Sequence, residues 1–561
     1  MMRSLWIVCV LSAMVLSGCA PTLPAGAEPP LVLVTLDPHA TATATPFQPA
    51  AAEDTPVEIT ALADTPSTAT PLADVTLADT ALADAPLAEI PLTETATATS
   101  APADTPNPAE SFTAATPTSS DNLALEPQAA LATPGLSGPR ALYTLYATLD
   151  YAGRAVAVNE TIRYTNNTGQ SLSSLVMAVE PNMWADCFSL SLLDQDGLPL
   201  VDYTLSGQKL TIALPQPLGP GATTVLGLGY RLSLPAKSDT GTFGYKSNQV
   251  NLTDWYPFIV PFTGDWLLHD PGSFGEHLVY DAADYDVYVM VEDPKVVLAA
   301  SAPAEGYGNS THYHLEGART FVLSASDSYQ VEESAVGPVQ IETYSFAEHG
   351  DANKAVLWMA TQSLGLYQAK FAPYPYQSLS IVESDMADGQ EYDGLVFLAS
   401  KFYTDYNGSA NSNLFSIGTH EVAHQWWFGL VGDDQASQPW LDEALAVYSE
   451  RLFYQYNYPA LGDWWWNFRV NYFGPAGYVD GDIYSFPAFR EYVNAVYLNG
   501  AEMLEDLRTR AGDEAFFAFL QDYAGRHARG RATAADFFAL LRQHTDKDLT
   551  DIMQKYLQGQ Y

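Results

Sequence analysis

His420-Glu421-Val422-Ala423-His424 and, after an eighteen-residue gap, Glu443 in Trp440-Leu441-Asp442-Glu443-Ala444 decide how this chain must fold. On a helix, residues four apart share a face, so both imidazoles can point at one ion. Neutral imidazole suits Zn2+, with bonds of about 2.0–2.1 Å. Glu421 follows the first imidazole directly and can reach the ion's water without being a ligand. A catalytic zinc usually has three protein ligands and one open position, so two imidazoles leave the site one short. Glu443 is the candidate third. The first helix is expected to end near Gly429 to Gly432, a loop to run through Pro439, and a second helix to span Leu441 to Tyr454. Glu443 then stands on the first turn of the second helix, which can fold back onto His420 and His424. The motif alone can arise by chance; its coincidence with a placed Glu443 is far rarer. One zinc ion per chain is the expectation.

Away from this segment the periodicity changes twice. Ala352 to Phe371 reads as an amphipathic helix ended by Pro373 and Pro375, Leu379 to Glu383 and Leu395 to Leu398 read as strands, and from Ile417 onward helices dominate. Upstream, short alternating apolar runs such as Tyr143 to Leu149, Ala155 to Tyr164, Thr224 to Leu232, Tyr285 to Val291 and Val339 to Tyr344 are separated by turn residues, as in Gly219-Pro220-Gly221. Many short strands at regular spacing argue for an antiparallel β-sandwich or barrel. The expected fold is therefore multidomain, with an N-terminal antiparallel β-sandwich over 140–343 and an α+β, mainly helical domain over 344–561.

Residues 20–139 differ from both. They contain no Lys or Arg, and loose Leu-Ala-Asp repeats run from Leu62-Ala63-Asp64 to Leu87-Ala88-Glu89. A spacing of five or ten residues suits no solenoid unit. Regular Pro and sparse aromatics make a disordered linker the expectation. Ahead of it, Arg3 and the apolar run Leu5 to Leu16 read as a targeting segment, too short to span a bilayer. Leu16-Ser17-Gly18-Cys19 resembles the bacterial lipobox. The resemblance implies a leader over 1–19, a lipid on Cys19, and an extracytoplasmic place on a bacterial membrane; an ordinary secretory signal with an incidental Cys is the other reading. Of the three cysteines only Cys187 lies beyond this region, so no intramolecular disulfide is expected and Cys187 reads as a small buried side chain. The formal net charge of −42 excludes nucleic acid as a partner, because phosphate binding needs Lys and Arg.

Residues His420 to Trp427 (HEVAHQWW), the gap and Trp440 to Ala444 resemble the aminopeptidase N family of gluzincin zinc metallopeptidases. That resemblance implies a β domain before a thermolysin-like catalytic domain. It also implies release of N-terminal amino acids from peptides, with His420, His424 and Glu443 as zinc ligands and Glu421 as general base. Two further family segments are matched in part. Asp388-Gly389-Gln390-Glu391-Tyr392 stands where the family has Gly-x-Met-Glu-Asn, so Glu391 is implied to hold the substrate's amino group and the backbone near Gly389 to pair with the peptide. Tyr497-Leu498-Asn499-Gly500-Ala501 is similar to the family's Tyr-x-Lys-Gly, so Tyr497 is implied to steady the oxyanion; Tyr478, Tyr484 and Tyr492 are rivals. Trp464-Trp465-Trp466 reads as core or pocket wall. Many relatives carry a further large helical domain, for which the stretch after Glu443 has little room, and a more open site is the expectation. Two other readings stay open: an endopeptidase or other zinc hydrolase, and a non-catalytic peptide-binding surface protein.

Overall fold

The computed structural model describes residues 139–238 and 241–561. The leader expected over 1–19, Cys19, and the linker expected over 20–139, save Pro139, lie outside the described residues. Among the described residues, no helix is long and apolar enough to cross a membrane.

The first half is β-rich because its strands alternate. In Leu142–Asp150 the side chains of Tyr143, Leu145, Ala147 and Leu149 are buried and their neighbours face outward. This strand pairs antiparallel with Ala155–Thr165 and parallel with Ala283–Val291, with Leu145 opposite both Glu160 and Val287. The sandwich is thus not wholly antiparallel, as the alternation had suggested. The chain between the two parallel strands is long enough for the crossover that such pairing needs. An eight-stranded sheet results, and two four-stranded sheets pack with it into a continuous core.

The second half is built on a five-stranded mixed sheet in the order Gln330–Val336, Val339–Ser345, Ser378–Ser384, Leu395–Ala399, Gly389–Tyr392. Every residue of Ser378–Ser384 and Leu395–Ala399 is buried, as expected of parallel strands covered on both faces. Helix Gly350–Lys370 crosses between two parallel strands of this sheet. Two boundaries differ from the sequence expectation. The hairpin Gln330–Val336/Val339–Ser345 was assigned to the β domain ending at 343, yet Ile341 pairs with Leu379 in the second sheet, so sheet membership changes before Gln330. The first site helix, Asn413–Ala423, stops before His424 rather than near Gly429 to Gly432. Beyond it the amides of Gly429, Leu430 and Val431 bond to the carbonyls of His424, Gln425 and Trp426, five residues back, so the winding widens out of α geometry.

The two halves meet at the turn between Gly389–Tyr392 and Leu395–Ala399. Asp393 Oδ2 accepts hydrogen bonds from the amides of Arg319 at 2.9 Å and Thr320 at 2.8 Å. Gly394 has φ 69°, and a Cβ there would lie 2.0 Å from the Ser301 carbonyl oxygen. From the other side, Gln425 donates to the Tyr392 carbonyl and accepts from the Gly394 amide, both at 2.9 Å. The edge strand is thereby fixed against the widened turn that follows His424.

Candidate metal centre

The second site helix, Trp440–Asn457, begins after Pro439 and carries Glu443 on its first turn. It lies against Asn413–Ala423, so Glu443 faces the two imidazoles. His420 Nε2 is 3.2 Å and His424 Nε2 3.5 Å from Glu443 Oε2, and the two Nε2 atoms are 3.0 Å apart. Ligands at about 2.0–2.1 Å around a tetrahedral zinc stand roughly 3.3–3.4 Å from one another. The three separations therefore fit one zinc ion without rearrangement.

The remaining ring nitrogens are spoken for, which fixes the ring orientations. His424 Nδ1 donates to the Trp427 carbonyl at 2.9 Å, an acceptor left free by the widened turn. His420 Nδ1 lies 3.1 Å from Glu450 Oε1. Glu450 in turn accepts from Arg469 Nε at 2.9 Å, from Arg469 Nη2 at 2.8 Å and from Trp465 Nε1 at 3.1 Å. Burial alone would push the Glu443 carboxyl up; the two imidazoles override it and hold it at about 2. Burial likewise opposes ionisation of Glu450, and Arg469 and His420 keep it below the ordinary carboxylate range.

Glu421 is 3% exposed and its Oε2 has no hydrogen-bond partner. Burial is the main cause that raises its carboxyl well above the usual range; His420 works against this, and Asp388 and Glu443 add to it. A Cβ on Gly389 would sit 2.1 Å from Glu421 Oε1, so glycine is required there for the base and the edge strand to lie together. Glu391, on that strand, shares a cluster with Glu421 and His424 and a second with Glu276 and Asp442, each with ligand atoms within 4.8 Å of one another. Its Oε1 is buried and unpaired, and burial, then Glu276 and Glu421, push its carboxyl up. Tyr497 donates its hydroxyl to Glu443 Oε1, and its ring lies parallel to the His420 imidazole with centroids 6.1 Å apart. A Cβ on Gly500 would meet the Ala444 Cβ at 2.5 Å, so this glycine permits the close approach that puts Tyr497 beside Glu443. Of the rival tyrosines, Tyr492 packs edge-on against Tyr497, while Tyr478 and Tyr484 are 48% and 50% exposed.

One cavity, of about 360 Å3 including its open mouth, is lined by Gly389, Glu391, His420, Glu421, His424, Glu443 and Tyr497 among others, so the metal, catalytic and substrate residues expected from sequence converge. Residues 357–556 match the family described as Peptidase family M1 domain. Over that stretch the chain is similar to the M1 family of aminopeptidase N-like gluzincins. The chain is 27% identical over 234 residues to Aminopeptidase N of Streptomyces lividans, covering 38% of this chain and 27% of that protein. It is 24% identical over 245 residues to Aminopeptidase M1-B of Oryza sativa subsp. japonica, covering 41% and 28%. The chain thus matches under a third of the length of these relatives. An M1 zinc metallopeptidase from Deinococcus radiodurans shares its fold with a TM-score of 0.56 at 17% identity, over 75% of this chain and 94% of that one. The His420–His424–Glu443 donor set suits zinc, the metal named for the Deinococcus radiodurans enzyme.

Sequence reasoning missed four residues at this centre. Glu450 lies two helical turns beyond Glu443 on the same face, a signal that was available. Arg469 carries no such signal, and Trp465, read from the sequence only as core or pocket wall, is buried with its Nε1 on Glu450. Glu276 comes from the β-rich half and accepts from Gln390 Nε2 at 2.7 Å.

Proposed function

We propose that the protein releases amino acids from the amino end of peptides by zinc-dependent hydrolysis. The observation that carries this reading is the unpaired, buried oxygens of Glu421 and Glu391 in one cavity with the His420–His424–Glu443 donor set. A bound zinc lowers the pKa of water and polarises a peptide carbonyl. Glu421, through the free Oε2, takes the proton from the attacking water and passes it to the leaving amine. Tyr497 turns its hydroxyl from Glu443 towards the developing oxyanion, a donor of the kind worth about 2.7–4 kcal/mol. Glu391, with Glu276 and Asp442 beside it, receives the substrate's ammonium; a cation there replaces the protons that burial otherwise favours. Gly389–Tyr392 is an edge strand, and an extended peptide can add to it as a further strand.

Mass spectrometry of defined peptides tests this. Stepwise loss from the amino end, stopped by a chelator, restored by zinc and absent on amino-acetylated peptides, is expected. Internal cuts, or equal cleavage of blocked peptides, would sink the amino-end assignment in favour of an endopeptidase.

The proposal extends to the address of the protein. Leu16-Ser17-Gly18-Cys19 after a short apolar run supports lipidation of Cys19 and attachment to the outer face of a bacterial membrane. Residues 20–139 would serve as spacer between lipid and enzyme. Detergent-phase partition of the full chain and its Cys19→Ser variant checks this; partition unchanged by the substitution refutes it.

A further inference from the structure

A second cavity, of about 540 Å3 including its open mouth, adjoins the metal centre and shares Glu391 with it. Resting on the amino-end reading above, we propose that this cavity receives the side chain of the substrate's first residue and selects a cationic one, lysine or arginine. With the ammonium on Glu391 and the scissile carbonyl at the zinc ligands, the first Cα stands where the two cavities join. Its side chain then points away from the metal, between the β-rich half and the edge strand.

The walls match a long cationic side chain. Glu180, Asp254 and Glu276 present carboxyls, Trp184, Phe243 and Tyr280 present rings, and among the described residues no Lys or Arg lines the cavity. Glu180 is 7% exposed; its Oε2 accepts no hydrogen bond and forms a long ion-pair contact of 3.6 Å with His277 Nε2. That imidazole nitrogen is closer, 3.0 Å, to Gln208 Oε1. Asp254 is held in place by the Tyr280 hydroxyl, 2.7 Å from Oδ1. Lysine and arginine lay their aliphatic stems along aromatic surface and bring the charged head to carboxylates. A leucine or phenylalanine side chain would dry the cavity and leave Glu180 Oε2 without a hydrogen-bond donor, at a cost in binding.

The test uses the zinc-loaded full chain and aminoacyl reporter amides. Arginine and lysine reporters are expected to exceed leucine and phenylalanine in kcat/KM by about tenfold or more. Asp254→Asn and Glu180→Gln should each shrink the arginine-to-leucine ratio. That ratio is insensitive to the folded fraction, so a poorly folding variant does not mimic the effect. Leucine or phenylalanine matching arginine, or a ratio unmoved in both variants, would overturn the proposal. Calorimetric binding of L-argininamide and L-leucinamide separates the two readings. If no reporter is cleaved yet argininamide binds about tenfold tighter, and Asp254→Asn abolishes the difference, the cavity assignment stands and the amino-end reading fails. Equal binding of the two amides sinks the cavity assignment itself.

Discussion

Glu160 in the β-rich half and Glu421 at the metal centre are both buried carboxyls, 2% and 3% exposed, and burial pushes both well above the ordinary range. Their surroundings differ. Glu160 occupies an inward position of Ala155–Thr165, opposite Leu145 and Leu228, where neither carboxyl oxygen has a hydrogen-bond partner and the nearby Tyr230 hydroxyl offsets burial only in part. Glu421 opens into a cavity beside two imidazoles, a carboxylate held near pH 2 and a strand edge. A raised carboxyl alone is therefore a burden on the fold. It becomes a candidate base where space, donors and a partner of opposite tendency converge.

The largest effect that would test this contrast is at the base. Glu421→Gln is expected to lower kcat by about 10²–10⁴-fold while zinc content, read by elemental analysis, stays at one per chain. Retained turnover would put Glu421 in the same class as Glu160. A smaller effect is expected one contact away. Glu450→Gln replaces the charged acceptor for His420 with a neutral amide and removes the counter-ion of Arg469, and a chelator titration should show zinc affinity weakened roughly 10–100-fold. Unchanged affinity would mean that the ring of His420 is oriented by packing alone.

The smallest effect belongs to the β-rich half. A Glu raised in the folded state binds more protons folded than unfolded, so its contribution falls as pH rises above the ordinary Glu value of about 4.3. Glu160→Gln should accordingly match the parent in urea melts near pH 4 and gain on it with rising pH, towards about 1–3 kcal/mol. A gap independent of pH would show that Glu160 does not titrate against the fold.

Much of the centre was legible because its spacing is local. His420, His424 and Glu443 follow from helical geometry and one loop length, and the strands at Leu142–Asp150 and Ser378–Ser384 from apolar pattern. What escaped was decided at a distance. The hairpin ending at Ser345 alternates like the strands before it, and only its pairing with Ser378–Ser384, across an intervening helix, assigns it to the second sheet. The end of the first site helix was misjudged because Trp426 and Trp427 are compatible with helix. Bonds five residues back, and the need of His424 for the Trp427 carbonyl, decide otherwise. Glu276 approaches the site from a chain segment 114 residues from Gln390, which no periodicity reports.

The clasp of Asp393 by Arg319 and Thr320 has an evolutionary consequence. The wall on which a peptide would lie is owned jointly by both halves, so the catalytic half is not a portable cassette. Grafting it onto a foreign β domain would transplant the zinc ligands intact and yet leave the peptide-facing strand without its moorings. Recombination among relatives should therefore succeed only where the crossover carries residues 319–320 and 393–394 together.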